Sequence, residues 1–234
     1  RVSTQMRTTT RPQADTAHQP EPPARAASTA RPRASVSDHE IAGKGWMERG
    51  GVYALANIRG GGEFGPDWWK AAQKENRQRA YDDFLAVAED LIDRGITSPE
   101  RLGIEGGSNG GLLVGVAMTQ RPDLFRAVSI EVPLLDMRRY NQLLAGASWV
   151  AEYGDPDDAA EWEYIRRYSP YQNVSPDVKY PEALFYTTTR DDRVHPGHAR
   201  KMAARMIDAG KNVRYYENIE GGHGGAHEGA DTRT

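Results

Sequence analysis

The stretch Leu102-Gly103-Ile104-Glu105-Gly106-Gly107-Ser108-Asn109-Gly110-Gly111-Leu112-Leu113-Val114-Gly115-Val116-Ala117-Met118 decides the fold. It opens with a short strand pattern, bends through clustered glycines around one serine, and closes in an apolar run of helical character. Gly106-Gly107-Ser108-Asn109-Gly110 fits G-x-S-x-G, the sharp strand-to-helix turn that lifts a nucleophilic hydroxyl out of the backbone. Only small neighbours tolerate the close approach of strand and helix at such a bend, and Gly106, Gly107, Gly110 and Gly111 supply them. The helix N-terminus that follows directs free N–H groups at the reacting centre, so the Asn109 N–H is a candidate oxyanion donor. A glycine-rich turn with a capping serine is the plain alternative. The two flanking elements favour the nucleophile.

Working outward, the same alternation of strand and helix continues on both sides. Val52-Tyr53-Ala54-Leu55-Ala56-Asn57-Ile58 reads as a buried strand stopped by Gly60-Gly61-Gly62. Tyr81 to Arg94 places Phe84, Val87, Ala88, Leu91 and Ile92 on one helical face, with Gly95 as its C-cap. Further strands are expected at Ala127–Val132, Ala183–Thr188 and Asn212–Glu217, with a helix from Gly197 to Ala209 capped by Gly210. Strands separated by helices imply parallel βαβ units, so the class is α/β with a mostly parallel sheet. The first forty residues differ in kind. They contain no Leu, Ile, Phe, Tyr or Trp, and are expected to form a disordered, linker-like or non-native Arg/Ala/Thr/Pro-rich segment ahead of a catalytic domain over 41–234.

A serine hydroxyl needs a histidine to take its proton and a carboxylate to orient that histidine. In α/β-hydrolases the chain order is Ser, then acid, then His. Asp191 and Asp192 follow the Ala183–Thr188 strand and are the acid candidates. His223, in Glu220-Gly221-Gly222-His223-Gly224-Gly225, lies on a flexible loop past the last strand and is the base; His227 is the reserve. His195 and His198 lie too near Asp191 in sequence to answer it across a site, and are expected to cap or face the following helix. Asp136 reads as a helix or turn cap.

Asn57-Ile58-Arg59-Gly60-Gly61-Gly62-Glu63-Phe64-Gly65, Gly106-Gly107-Ser108-Asn109-Gly110-Gly111, Asp191-Asp192-Arg193-Val194 and Gly222-His223-Gly224 together resemble the prolyl oligopeptidase family, in its order and at similar spacing. The resemblance extends over about residues 41 to 225. It implies an α/β-hydrolase catalytic domain and a serine peptidase cutting short peptides after proline. By position it makes Ser108 the nucleophile, Asp191 the acid, His223 the base and the Asn109 N–H one oxyanion donor. It further makes Arg193 the group that grips a substrate carbonyl, and Trp149 and Tyr153 aromatics of a proline pocket. Members of that family carry a β-propeller, an upstream tyrosine that donates to the oxyanion, and a C-terminal helix. None of these is found in this sequence, so the sheet is expected to be incomplete at both ends and turnover by this chain alone to be weak.

Composition narrows the partners. A net charge of −3 gives no basic surface for nucleic acid, and no apolar run reaches the ~18 residues of a membrane span. Without a signal or a span the expected compartment is the cytoplasm. There is no cysteine, which removes disulfides, thiolate metal sites and a cysteine nucleophile. No cofactor is required by the chemistry. Gly60-x-Gly62-x-x-Gly65 formally fits a dinucleotide turn, but Pro66-Asp67-Trp68-Trp69 follows it without a tight apolar helix. His223 and His227 flank two glycines, which disfavour the helix a paired metal site needs, so no metal is expected. The partner is a short peptide; oligomeric state is not encoded in any motif. An esterase or acylaminoacyl peptidase on the same fold, and an inactive fragment, are the rival readings.

Overall fold

The computed structural model describes residues 4–9 and 46–224. Its strands are β1 (Thr4–Thr9), β2 (Gly51–Leu55), β3 (Gly103–Gly107), β4 (Ala127–Glu131), β5 (Glu182–Thr188) and β6 (Val213–Asn218). Among the described residues these form one sheet in the order β2-β1-β3-β4-β5-β6. From β3 to β6 every neighbour is parallel, whereas β1 runs antiparallel to both β2 and β3. The sheet is open, with β2 and β6 at its edges.

The helices are α1 (Pro66–Lys70), α2 (Gln78–Asp93), α3 (Asn109–Gln120), α4 (Val150–Tyr153), α5 (Ala159–Tyr168), α6 (Pro170–Asn173) and α7 (Gly197–Asp208). The α3 helix packs on β3 and β4, and Gly110 through Met118 are all buried. A helix apolar on every side belongs in the interior, which explains its composition. Against it lies α2, which buries Ala80, Tyr81, Phe84, Leu85 and Ala88 along one stripe. On the expected apolar face of that helix, Val87, Leu91 and Ile92 are only partly buried against the core. Gly95 and Gly210 follow α2 and α7 at φ +67° and +69°, the left-handed exit expected of each. Asp158 caps α5, accepting from the N–H groups of Ala160 at 2.7 Å and Glu161 at 3.0 Å.

One strand falls where the sequence reads as disordered. Thr4–Thr9 lies inside the segment read as disordered, yet it forms β1 with ladders to two strands. Thr-Gln-Met-Arg-Thr-Thr carries almost no apolar signal, and its order comes from backbone pairing on both sides together with the strand preference of threonine. The remainder of that segment, residues 10–40, lies outside the described residues. So does the proposed start of the catalytic domain at Ile41.

The fold presents the C-terminal ends of parallel strands at one rim, where open α/β sheets place their sites. Ser108 follows β3, Asp191 follows β5, and His223 follows β6.

Candidate active site

Ser108 sits at φ +59°, ψ −115°, a conformation few side-chain-bearing residues adopt. The turn is held by its N–H, which donates to the Glu131 carbonyl at 2.9 Å, and by the Leu112 N–H, which donates to the Ser108 carbonyl at 3.2 Å. Two glycines are required by contact. A Cβ on Gly106 would lie 2.3 Å from the Gly110 carbonyl oxygen, and one on Gly111 would lie 2.7 Å from the Pro133 side chain. The cost of the turn, about 1–3 kcal/mol for such a backbone, is carried by the buried packing of α3.

His223 Nε2 lies 3.1 Å from Ser108 Oγ, and His223 Nδ1 lies 2.9 Å and 3.0 Å from the two carboxylate oxygens of Asp191. These residues come from the ends of three different strands. The Asp191 side chain is fully buried, and its Oδ1 accepts the N–H groups of Arg193 and Val194, each at 2.9 Å. A buried carboxylate requires such donors, and here they also fix the plane it presents to the imidazole. Asp192, the other acid candidate, is exposed. The histidine loop is pinned by the Thr188 hydroxyl, which donates to the Gly222 carbonyl at 2.9 Å. His227 lies outside the described residues.

Asn109 is the first residue of α3, so its N–H has no carbonyl partner within the helix and lies next to Ser108. Beside Ser108 opens a cavity of about 420 Å³, lined among others by Asn109, Trp149, Tyr153, Arg193 and His223. The structure thus brings Ser108, Asn109, Trp149, Tyr153, Arg193 and His223 to one cavity, with Asp191 held against His223. Tyr153 is buried and Trp149 is half-buried against the core, while the Arg193 side chain is exposed at the rim.

Several lining groups were not read from the sequence. Gly60, Gly61 and Gly62 form part of the wall, on a loop tied to α2 through Arg59. That guanidinium donates to both oxygens of Asp83, at 2.8 Å and 2.6 Å. Trp69 and Glu152 also face the cavity. Behind it, Arg77 is 4% exposed and contacts Asn109 and Glu152, which no motif signalled.

The remaining titratable groups separate from the site. His195 accepts the Gly197 N–H at 2.9 Å within its own turn. His198 is buried on α7, where its Nδ1 accepts from the N–H groups of Leu135 at 3.2 Å and Asp136 at 3.0 Å. Burial pushes its pKa down to about 4. Asp136 is not the simple cap expected. It is buried, pairs with Lys201 and Arg139, and accepts from Gln172 at 2.7 Å. Burial raises its pKa, but the hydrogen bonds from Lys201 and Gln172 outweigh that and hold the carboxyl below the usual carboxylate value. Among the described residues there is no group of three or more His, Asp or Glu placed to hold a metal ion. No helix among them is long and apolar enough to cross a membrane.

Comparison with known proteins gives the same family throughout. Residues 39–233 match the model of the prolyl oligopeptidase family. An uncharacterized peptidase, y4nA, of Sinorhizobium fredii is 63% identical over 186 residues, which is 80% of this chain and 26% of that protein. A prolyl endopeptidase of Elizabethkingia miricola is 46% identical over 162 residues, 69% of this chain and 23% of that protein. The structure of a post-proline cleaving enzyme from Rickettsia typhi superposes with a TM-score of 0.76 at 50% identity, covering 78% of this chain and 27% of that one. The chain therefore spans about a quarter of the length of the relatives it matches. With an α/β sheet, a serine at its strand-to-helix bend and a model match over most of its length, this chain belongs to the prolyl oligopeptidase family.

Proposed function

We propose that this chain carries the acyl-transfer centre of a serine peptidase that cleaves short peptides after proline. The observation that carries the reading is the unbroken contact from Ser108 Oγ through the His223 imidazole to the Asp191 carboxylate. In this reading Ser108 Oγ attacks the peptide carbonyl carbon while its proton passes to His223 Nε2. The carbonyl oxygen becomes an oxyanion that accepts from the Asn109 N–H. Collapse breaks the C–N bond, and the proton on His223 goes to the departing amine. The ester left on Ser108 is attacked by water, whose proton passes to His223 and then back to Ser108 as the acid is released. Asp191 keeps the imidazole in the tautomer that presents a bare Nε2 to the serine.

Post-proline preference is supported by the cavity wall. The Trp149 indole is a flat apolar platform for a pyrrolidine ring, and the Tyr153 ring closes the adjoining side. The exposed Arg193 guanidinium at the rim is suited to donate to a substrate carbonyl from its fixed fork of N–H groups. The Elizabethkingia miricola relative is a prolyl endopeptidase, which agrees with this assignment.

The test begins with a fluorophosphonate probe, which labels an activated serine irrespective of substrate preference. Labelling of this chain, lost in Ser108→Ala, is expected. A chain that unfolds cooperatively and takes no label sinks the reading. Hydrolysis of a proline-linked peptide amide, its alanine counterpart and an acyl ester then separates post-proline peptidase from esterase.

A further inference from the structure

Arg77 is a buried cation, 4% exposed, that none of the acyl-transfer steps uses. It stands just before α2, where the sequence Lys74-Glu75-Asn76-Arg77-Gln78-Arg79 looks like an ordinary charged surface. Its guanidinium instead points inward and bridges separate elements. Nη2 donates to Asn109 Oδ1 at 2.6 Å, and Nη1 donates to Glu152 Oε1 at 2.6 Å. The same group lies over the Tyr153 ring, 4.9 Å from its centroid.

The Asn109 carboxamide is bound on both sides. Its Oδ1 accepts from Arg77 and from the Tyr153 hydroxyl, the latter at 2.7 Å, while its Nδ2 donates to Glu152 Oε1 at 3.3 Å. Two donors on the oxygen and a carboxylate on the nitrogen leave one orientation of the amide. Burial pushes the Tyr153 phenol well up, so it remains a donor across the physiological range. A single network thus joins the start of α2, the first residue of α3 and the wall formed by α4.

We propose that Arg77 is a positioning residue, which fixes the Asn109 N–H at the oxyanion site and holds the Glu152–Tyr153 wall of the substrate cavity in register with it. The proposal rests on the acyl-transfer reading for its purpose and on the hydrogen-bond network for its geometry. The planar fork is needed because two acceptors on two elements must be met at once. A lysine ammonium can reach one of them without fixing the other. A buried charge is costly to maintain and is tolerated where every partner is satisfied, as the partners of Arg77 are.

The test uses the intact chain and a double-mutant cycle on the rate of Ser108 labelling by a fluorophosphonate. Arg77→Met removes the fork, and Asn109→Ala removes the carboxamide while keeping the backbone N–H. Arg77→Met is expected to slow labelling by roughly 10–100-fold in the parent chain and by less than about 3-fold when residue 109 is alanine. Equal losses in both backgrounds overturn the proposal, because a purely structural role would not depend on the carboxamide. Arg77→Lys should recover part of the rate. If Arg77→Met does not unfold cooperatively, Arg77→Lys takes its place in the cycle under the same criterion. A parent chain that folds but takes no label counts against the acyl-transfer reading, not against the network. The network is then read from the amide 1H–15N resonance of Asn109. A shifted resonance in Arg77→Lys supports the placement, and an unmoved one overturns it.

Discussion

The Thr188 hydroxyl donates a 2.9 Å hydrogen bond to the carbonyl of Gly222, the residue immediately before His223. Thr188 ends β5 and is fully buried, so this one contact ties the histidine loop to the strand whose following turn holds Asp191. Thr188→Val keeps the shape and deletes the donor. It should lower stability by about 0.5–1.5 kcal/mol and slow Ser108 labelling by roughly 3–10-fold, since the imidazole loses its tether. Denaturant unfolding and labelling rates together check it. A labelling rate equal to the parent's would mean the loop is held without Thr188.

Asp191 and Asp192 are adjacent in sequence and opposite in environment. Asp191 is buried against His223 with two backbone donors, and Asp192 is exposed. Asp191→Asn preserves volume but removes the charge that stabilises an imidazolium, and it favours the wrong histidine tautomer. Labelling and peptide turnover are expected to fall roughly 10³–10⁴-fold. Asp192→Asn should leave both within about 2-fold. Comparable losses in the two variants would contradict the distinction drawn from burial.

Much of this site follows from the sequence by local rules. The bend at Ser108 announces itself through clustered glycines between a strand pattern and an apolar helix. Readable strand ends narrow the acid to Asp191 or Asp192 and favour His223 as the base, while the choice of Asp191 comes from the family resemblance. What escaped has a common physical cause. The order of β1 comes from pairing on both sides, and Thr4–Thr9 has no apolar periodicity to reveal it. Arg77 escaped because a charge in a charged run reads as solvated, and only tertiary packing shows that the guanidinium is enclosed. Asp136 reads as a cap from its sequence neighbours, whereas its partner Lys201 lies far along the chain on α7.

Acid should loosen the fold through His198. Its folded pKa of about 4 lies below the ordinary histidine value of 6.5, so the unfolded chain binds the proton more tightly. The stabilisation from keeping His198 neutral is complete above pH 6.5 and is lost progressively as pH falls from there through about 4. The total is up to roughly 3 kcal/mol for a shift of that size. Asp136, held below the usual carboxylate value, contributes its own loss only at lower pH. Urea unfolding at pH 7 and pH 4.5 should show the difference. In His198→Asn, whose side-chain oxygen can accept from Leu135 and Asp136 in place of Nδ1, the pH dependence in that window should shrink by most of its amount. An unchanged dependence would assign it elsewhere.

The indole of Trp149 is the part of the cavity best matched to a proline ring. Trp149→Ala should raise KM for a proline-linked peptide and reduce its preference over the alanine counterpart by roughly 10-fold or more, the scale of one lost apolar platform. Fluorophosphonate labelling should change far less, because the triad contacts do not involve Trp149. Loss of labelling to the same extent as peptide turnover would place the effect in the chemistry instead of recognition.

Gly106 and Gly107 are consecutive glycines at the bend, and the structure gives them different reasons to be there. A Cβ at Gly106 would stand 2.3 Å from the Gly110 carbonyl oxygen and 2.6 Å from its carbon, both backbone atoms of the first turn of α3. Neither can retreat without moving the helix off the sheet. At Gly107 the nearest atoms would be the Glu131 Cβ at 3.8 Å and its carbonyl oxygen at 3.9 Å, which is ordinary contact. Gly106→Ala is therefore expected to cost about 3 kcal/mol or more, the upper end for overpacking, and to abolish labelling as the Ser108 turn opens. Gly107→Ala should alter unfolding free energy by less than about 1 kcal/mol, so any fall in its labelling rate reports the methyl group at the cavity wall where Gly107 sits. Thermal unfolding of the two variants side by side decides the matter. Equal destabilisation would mean that close approach of strand and helix at Gly106 is not what the bend requires.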